Sequence, residues 1–269
     1  MKKAVILVPV HCAPKVAMMT LGTWLEAHDG SYEAEVIIGV HDNYHHYHPG
    51  LEALQGLPGV KVVQVKEIDW AAQKMGWEAV YRYSTMHATS LREMMKLANT
   101  MTFDYLAVLD HDLVFKKDFI GWAMGIGKDL VGSYMEDRRI RVPVKTEGGT
   151  FIFAPKFSVW HMVMTHKFFQ KIMEDVDLIF PIFEGDCFFD TFSRIIRNNE
   201  EQWKLPIEEL TLAQTEEMVK HLWTMSFNYG MKLYGAGAYW KRLAELEADF
   251  DKRFPNGIHH LFEKIRSKA

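Results

Sequence analysis

Asp110, His111 and Asp112 follow directly on an apolar run, Tyr105 to Leu109. A run of that length and composition suits a strand buried on both faces. Two carboxylates one residue apart at the end of such a strand are costly unless something neutralises them. A divalent cation does so most directly, and carboxylate oxygens suit Mg2+ or Mn2+. Ligands in open α/β sheets bind outside the carboxyl ends of the strands, so the pair is placed to face a metal-bound diphosphate. The competing explanation is structural: an Asp pair after a strand can cap the next helix, with Asp112 or Asp118 accepting backbone N–H groups.

Two further stretches carry candidate chemistry. Phe183 to Asp190, FEGDCFFD, sets Glu184, Asp186 and Asp190 among aromatic side chains. Apolar surroundings raise a carboxyl pKa, which is how general bases near neutral pH are made. Gly185 lets the backbone turn and bring Asp186 close to a ligand, and Asp190, one helical turn on, then shares its face. A helix start capped by Asp186 explains the same residues. Further on, His221 stands near Trp223. A neutral imidazole is a good third ligand beside two carboxylates, although a lone His more often belongs to the core or the surface. His41 and the stretch Tyr44 to Pro49 hold four histidines in eight residues. Such a tract can bind transition metals, but no Cys or carboxylate stands at a known zinc spacing, and an exposed polar loop is the simpler reading.

The elements that must position these groups alternate. Ala4 to Val10 reads as a first buried strand, ending at His11. Pro14 suits the first turn of a helix, and Val16 to His28 has apolar residues at helical spacing. Glu35 to Val40 is a second strand, ending at His41 and Asp42, and Val60 to Val65 a third. Ser84 to Asn99 reads as a helix that Ser84 or Thr85 could cap, with an apolar stripe at Ala88, Leu91, Met94, Met95 and Ala98. His87 and Arg92 on it are candidates to face the crevice. After the strand at Tyr105 to Leu109 come a strand at Leu130 to Tyr134, the segment Phe151 to Phe153, a helix at Thr165 to Met173, and terminal helices at Trp240 to Phe250 and Ile258 to Ile265. Strand–helix alternation with short connections predicts a doubly wound, mostly parallel sheet flanked by helices. Right-handed crossovers then bring His11, Asp42 and the Asp110/Asp112 pair to one edge.

Composition bounds the reading. A chain of 269 residues can bury a full α/β core. Its net charge of −4 offers no basic footprint for nucleic acid. Eight Trp, 10 Tyr and 17 Phe suit a deep pocket, a large interface or a large core equally. Cys12 and Cys187 make no disulfide framework, so a reduced, cytoplasmic setting is expected. The opening Met1-Lys2-Lys3 and apolar run is too short for a signal peptide and holds Pro9. No stretch is long enough to span a bilayer, which leaves peripheral membrane contact open.

These motifs together resemble the nucleotide-sugar-dependent glycosyltransferases of the GT-A fold, nearest to the large inverting family 2. The likeness runs from about Ala4 to Arg197 through VILVPVH, IIGVHDN, STMHATSLREMMKLAN, AVLDHDLVF and EGDCFFD. It implies a Rossmann-like, doubly wound catalytic domain over residues 1–230, with a nucleotide-binding part at 1–120 and an acceptor part at 121–230. A helical extension follows at 231–269. It implies a metal-dependent transfer, Mn2+ or Mg2+ being the cofactor, from a UDP- or GDP-sugar to a glycan or other hydroxyl acceptor. Pro9, Val10, His11 and Asp42 would contact the nucleoside, with Arg92 and His111 nearby. Asp110 and Asp112 would hold the metal, and His221 would complete its shell. Glu184 or Asp186 would act as the base, and Asp190 and Trp223 would bind the acceptor. The chain departs from the family pattern: His11 replaces the usual acyclic polar residue, Gly185 interrupts the Glu-Asp dipeptide, and Arg92-Glu93 stands where Arg-Asn is usual. The acidic triplet is also similar to the nucleophile motif of haloacid-dehalogenase-like phosphatases. That family places the motif on its first strand, with a small or hydroxyl residue where this chain has Val114. A non-catalytic sugar-nucleotide-binding or assembly protein on the same fold is a third alternative.

Overall fold

The computed structural model describes residues 1–10, 13–41, 52–65, 79–133, 141–145, 151–155, 161–174, 207–222 and 235–266. The elements in chain order are β1 (Lys2–Val10), α1 (Pro14–Ala27), β2 (Tyr32–His41), α2 (Glu52–Gln55), β3 (Val60–Val65), α3 (Ala79–Ala98) and β4 (Tyr105–Leu109). Then come β5 (Leu113–Phe115), α4 (Phe119–Ile126), β6 (Leu130–Ser133), β7 (Arg141–Lys145), β8 (Phe151–Pro155), β9 (His161–Thr165) and α5 (His166–Met173). The last are β10 (Ile207–Leu210), α6 (Leu212–Met218), β11 (Val219–His221), α7 (Ala236–Arg253) and α8 (His259–Arg266).

Seven strands form the central sheet in the order β10-β6-β9-β4-β1-β2-β3. Six run parallel; β9 alone lies antiparallel, between β4 and β6. Period-two alternation along β1 splits the core. Ala4, Ile6, Val8 and Val10 join one apolar cluster, with α1 and α4; Val5 and Leu7 join the other, with α3 and α5. Helices therefore cover both faces, as the unbroken apolar runs of β1 and β4 require. No helix among the described residues is long and apolar enough to cross a membrane.

The strand at Val60–Val65 and the strand at Tyr105–Leu109 fall on their expected bounds. Helix α3 starts five residues before Ser84, so Ser84 and Thr85 lie inside it and do not cap it. Residues 119–126, not among the expected helices, form α4. Its cap is Asp118, whose Oδ1 accepts from the Gly121 N–H at 2.9 Å, and not Asp112. β9 and the small β5–β11 ribbon are additions to the expected strands.

The two C-terminal helices pack on α1. Tyr239, Leu243, Phe250, Phe254, Ile258 and Phe262 share the α1-side cluster. Gly22 makes this approach feasible: a Cβ there would lie 2.7 Å from Phe254 Cζ and 2.9 Å from Ile258 Cγ2. Two ion pairs at the rim, Lys15–Asp251 at 2.6 Å and Arg253–Glu26 at 2.6 Å, fix the register, although exposed pairs of this kind contribute little energy. Gly22→Val should force α1 and the terminal helices apart and cost about 1–3 kcal/mol, read as a lower midpoint in urea; unchanged stability would show that this packing is dispensable.

Candidate metal centre

β1 and β4 are neighbours, but α1 leaves on one face of the sheet and α3 enters from the other. The carboxyl ends of these two strands thus flank a topological switch point, where open α/β sheets bind ligands. Asp110 is the first residue past β4. The loop it opens is held by three independent anchors. His111 is buried, and its Nδ1 donates to the Pro9 carbonyl at 3.0 Å, joining the loop to the end of β1. Thr20 Oγ1, buried on α1, accepts from Leu113 N at 2.9 Å and donates to the His111 carbonyl at 2.7 Å. One turn later, Thr23 Oγ1 accepts from Phe115 N at 3.1 Å. Two hydroxyls on an otherwise apolar helix face are the signal for this clamp in the sequence, and they were not among the candidate residues.

β5 then pairs antiparallel with β11, setting His221 opposite Leu113. Leu222 N donates to the Asp112 carbonyl at 2.9 Å, which closes the ribbon beside the acidic pair. A residue more than a hundred positions downstream is brought to the carboxylates in this way. His221 Nε2 lies 3.2 Å from Asp112 Oδ1 and 3.4 Å from Asp110 Oδ2. From the other side of the sheet, His87 on α3 places Nε2 3.0 Å from Asp110 Oδ1. His87, a candidate to face the crevice, thus reaches Asp110. His161, at the start of β9 beside Leu109, is fully buried, packs edge-to-face on Phe119 at 4.9 Å and lies within electrostatic reach of His221. It was not anticipated, because β9 itself was not.

Asp110, Asp112 and His221 each offer one ligand atom, and these atoms lie within 4.8 Å of one another. Asp112 and His221 are nearly sealed, with side chains 4% and 8% exposed, whereas Asp110 keeps 21% and opens the site to solvent. The charges are strongly coupled. Burial would raise both Asp pKa values; for Asp110 the hydrogen bonds of His221 and His87 overcome it and hold the carboxyl well below the usual range. For Asp112 the charge of His221 overcomes it. Burial would lower the His221 pKa, but the Asp112 charge and the bonds to both carboxylates raise it to about 10. His161 goes the other way: burial and the neighbouring His221 charge push it down to about 3, so it is neutral.

Two ionised carboxylates and an imidazole within bonding reach are a donor set that suits Mn2+, Mg2+ or another divalent ion. The residues present therefore fit a metal, with Asp110, Asp112 and His221 as its ligands and His87 as the group that orients Asp110. Of the other expected residues, Pro9 contributes its carbonyl to His111, Val10 is buried, and Arg92 Nε donates to Glu93 at 3.1 Å. His11, Asp42, Glu184, Asp186, Asp190, Trp223 and the histidines after His41 lie outside the described residues.

A scan against models of known protein families finds no match, and a search of curated proteins finds no relative.

In the metal-free protein His221 is an imidazolium near neutral pH, and a cation can bind its Nε2 only after the proton leaves. Mn2+ affinity should rise with pH, and calorimetry at pH 7.5 in buffers of different ionisation enthalpy should report about one proton released per metal bound; binding with no proton released would remove His221 from the ligand set. The same ion pair stabilises the metal-free fold. Its imidazole contribution is complete below the ordinary His value of 6.5 and fades as pH rises towards about 10. The carboxylate contribution is present above 3.8 and is lost as pH falls below it.

Proposed function

We propose that this chain is a metal-dependent glycosyltransferase of the GT-A type, moving a sugar from a UDP- or GDP-sugar to an acceptor hydroxyl. The observation that carries the reading is the convergence of Asp110, Asp112 and His221 at the switch-point edge of a mostly parallel sheet. The sequence motif alone placed a pair of carboxylates after a strand; the downstream imidazole arriving on that pair is what a metal signature needs and a helix cap does not. A divalent cation held there would neutralise the departing diphosphate.

The chain's own groups have distinct tasks in this scheme. Asp110, the more exposed carboxylate, faces the crevice and would meet the diphosphate side of the metal. Asp112 and His221 form the sealed side and fix the ion's position. His87 holds Asp110 in its rotamer, and the tie from His111 to Pro9 keeps the loop in register with the end of β1, where a nucleoside would lie. The acceptor base rests on sequence alone: Asp186, with Glu184 as the alternative. Both Asp110 oxygens accept from imidazoles, which suits a ligand that must be held still rather than the attacking carboxylate of a phosphatase.

Asp112→Asn should abolish the stabilisation that Mn2+ plus UDP or GDP gives in a thermal melt, because ligand binding raises the melting temperature by mass action. The variant retaining metal-dependent nucleotide binding would refute the metal assignment. Asp186→Asn should keep donor binding and lose about a hundredfold to ten-thousandfold in transfer. Normal transfer with a collapse in Glu184→Gln would move the base to Glu184.

A further inference from the structure

At the opposite edge of the sheet from Asp110, the carboxyl end of α1, the start of β2 and the start of α4 meet. His28 follows α1 there; its side chain is 1% exposed, yet neither ring nitrogen has a hydrogen-bond partner among the described residues. Asp118 contributes the second group. Its Oδ1 is fully used, accepting from the Tyr32 hydroxyl at 3.1 Å and from Gly121 N at 2.9 Å, while its Oδ2 is buried and accepts from nothing described. That oxygen lies 3.5 Å from His28 Nδ1, and the two make no hydrogen bond. Asp29, exposed at the mouth, brings a third ligand atom, all three lying within 4.8 Å of one another.

We propose that His28, Asp29 and Asp118 form a second divalent-cation site, of zinc type, that fastens the α1–β2 turn to the start of α4. Two donors 3.5 Å apart across a tetrahedral angle each stand about 2.1 Å from a cation between them, within the range of zinc bonds to His nitrogen and carboxylate oxygen. One imidazole and two carboxylates are among the donors zinc takes. The supporting contacts are in place before any ion arrives. Trp24 Nε1 donates to the Tyr32 hydroxyl at 3.0 Å, which in turn donates to Asp118. The His28 ring is wedged against Tyr32 at 4.3 Å and Trp24 at 5.8 Å, so its direction is fixed by packing. Outer contacts of this kind orient ligands and raise affinity. Hydrogen bonds from Ser31 hold the Asp29 carboxyl below its ordinary value, so it is an anion at neutral pH. The carboxyl end of α1 presents its partial negative charge to the same spot. A water would supply the fourth ligand on the exposed side. This site stands independently of the glycosyltransferase reading.

The test uses the full chain carrying Asp112→Asn and His221→Ala, which removes the first centre, titrated with Zn2+ alone against a chromophoric chelator and followed by thermal melting. Zinc should bind and raise the melting temperature. Adding His28→Phe, which keeps an aromatic ring between Trp24 and Tyr32, should delete one zinc equivalent. Adding Asp29→Asn, an exposed change that keeps an oxygen to accept from Ser31 N, should weaken that equivalent at least tenfold. Zinc stoichiometry and affinity unchanged by both substitutions, or no zinc bound by the parent double variant, would overturn the proposal.

Discussion

Two carboxylates set one residue apart at the end of a buried strand cannot both stay ionised without positive charge beside them. Much of the architecture around β4 answers that constraint. His87 comes from α3 on one face and His221 from a ribbon that folds in from the other, so each Asp110 oxygen has an imidazole. The metal-free protein thus carries a proton where a cation would go. The imidazolium of His221, 3.2 Å from Asp112 and 3.4 Å from Asp110, favours the ionised form of both carboxylates and holds them in place. Such preorganisation is what a binding site needs if affinity is not to be lost in ordering its own side chains.

The loop that carries the pair is restrained with equal care. It has no long secondary structure of its own, yet its backbone groups are satisfied by Thr20 and Thr23 on α1 and by the β5–β11 ladder, and the His111 side chain ties it to the Pro9 carbonyl. Buried backbone polar groups left without partners cost about 1–3 kcal/mol each, so these anchors both stabilise the loop and fix the direction of its carboxylates. The C-terminal helices lie behind α1 and back this clamp: Gly22, where Phe254 and Ile258 approach, sits between Thr20 and Thr23.

The parts of this arrangement that were legible in the sequence are those set by local pattern. Apolar runs gave β1 and β4 because parallel strands buried on both faces read as unbroken hydrophobic stretches. Helical spacing gave α1, most of α3, α5 and the terminal helices. The acidic pair was legible because charge after such a run is unusual. What escaped depends on long-range pairing. β9 is five residues long and antiparallel, and nothing local distinguishes it from the turn before a helix, so His161 went unseen. β5 and β11 are three residues each, too short for periodicity to register, although their pairing is what makes His221 a partner of Asp112. His221 itself was singled out on chemistry and on the family resemblance, not on position. The role of Asp118 shows a different ambiguity: one carboxylate oxygen caps α4, as local rules expect, and the other faces His28, which local rules do not address.

The proposed function depends on one centre formed by Asp110, Asp112 and His221. Crystals soaked in Mn2+ with UDP or GDP, with diffraction recorded at the manganese absorption edge, test it most directly. The expected result is an anomalous peak in contact with all three side chains and with the diphosphate, His87 still hydrogen-bonded to Asp110. A diphosphate-bound manganese that leaves His221 paired with Asp112 and out of contact with the ion, or no manganese between the carboxylates at all, would contradict it.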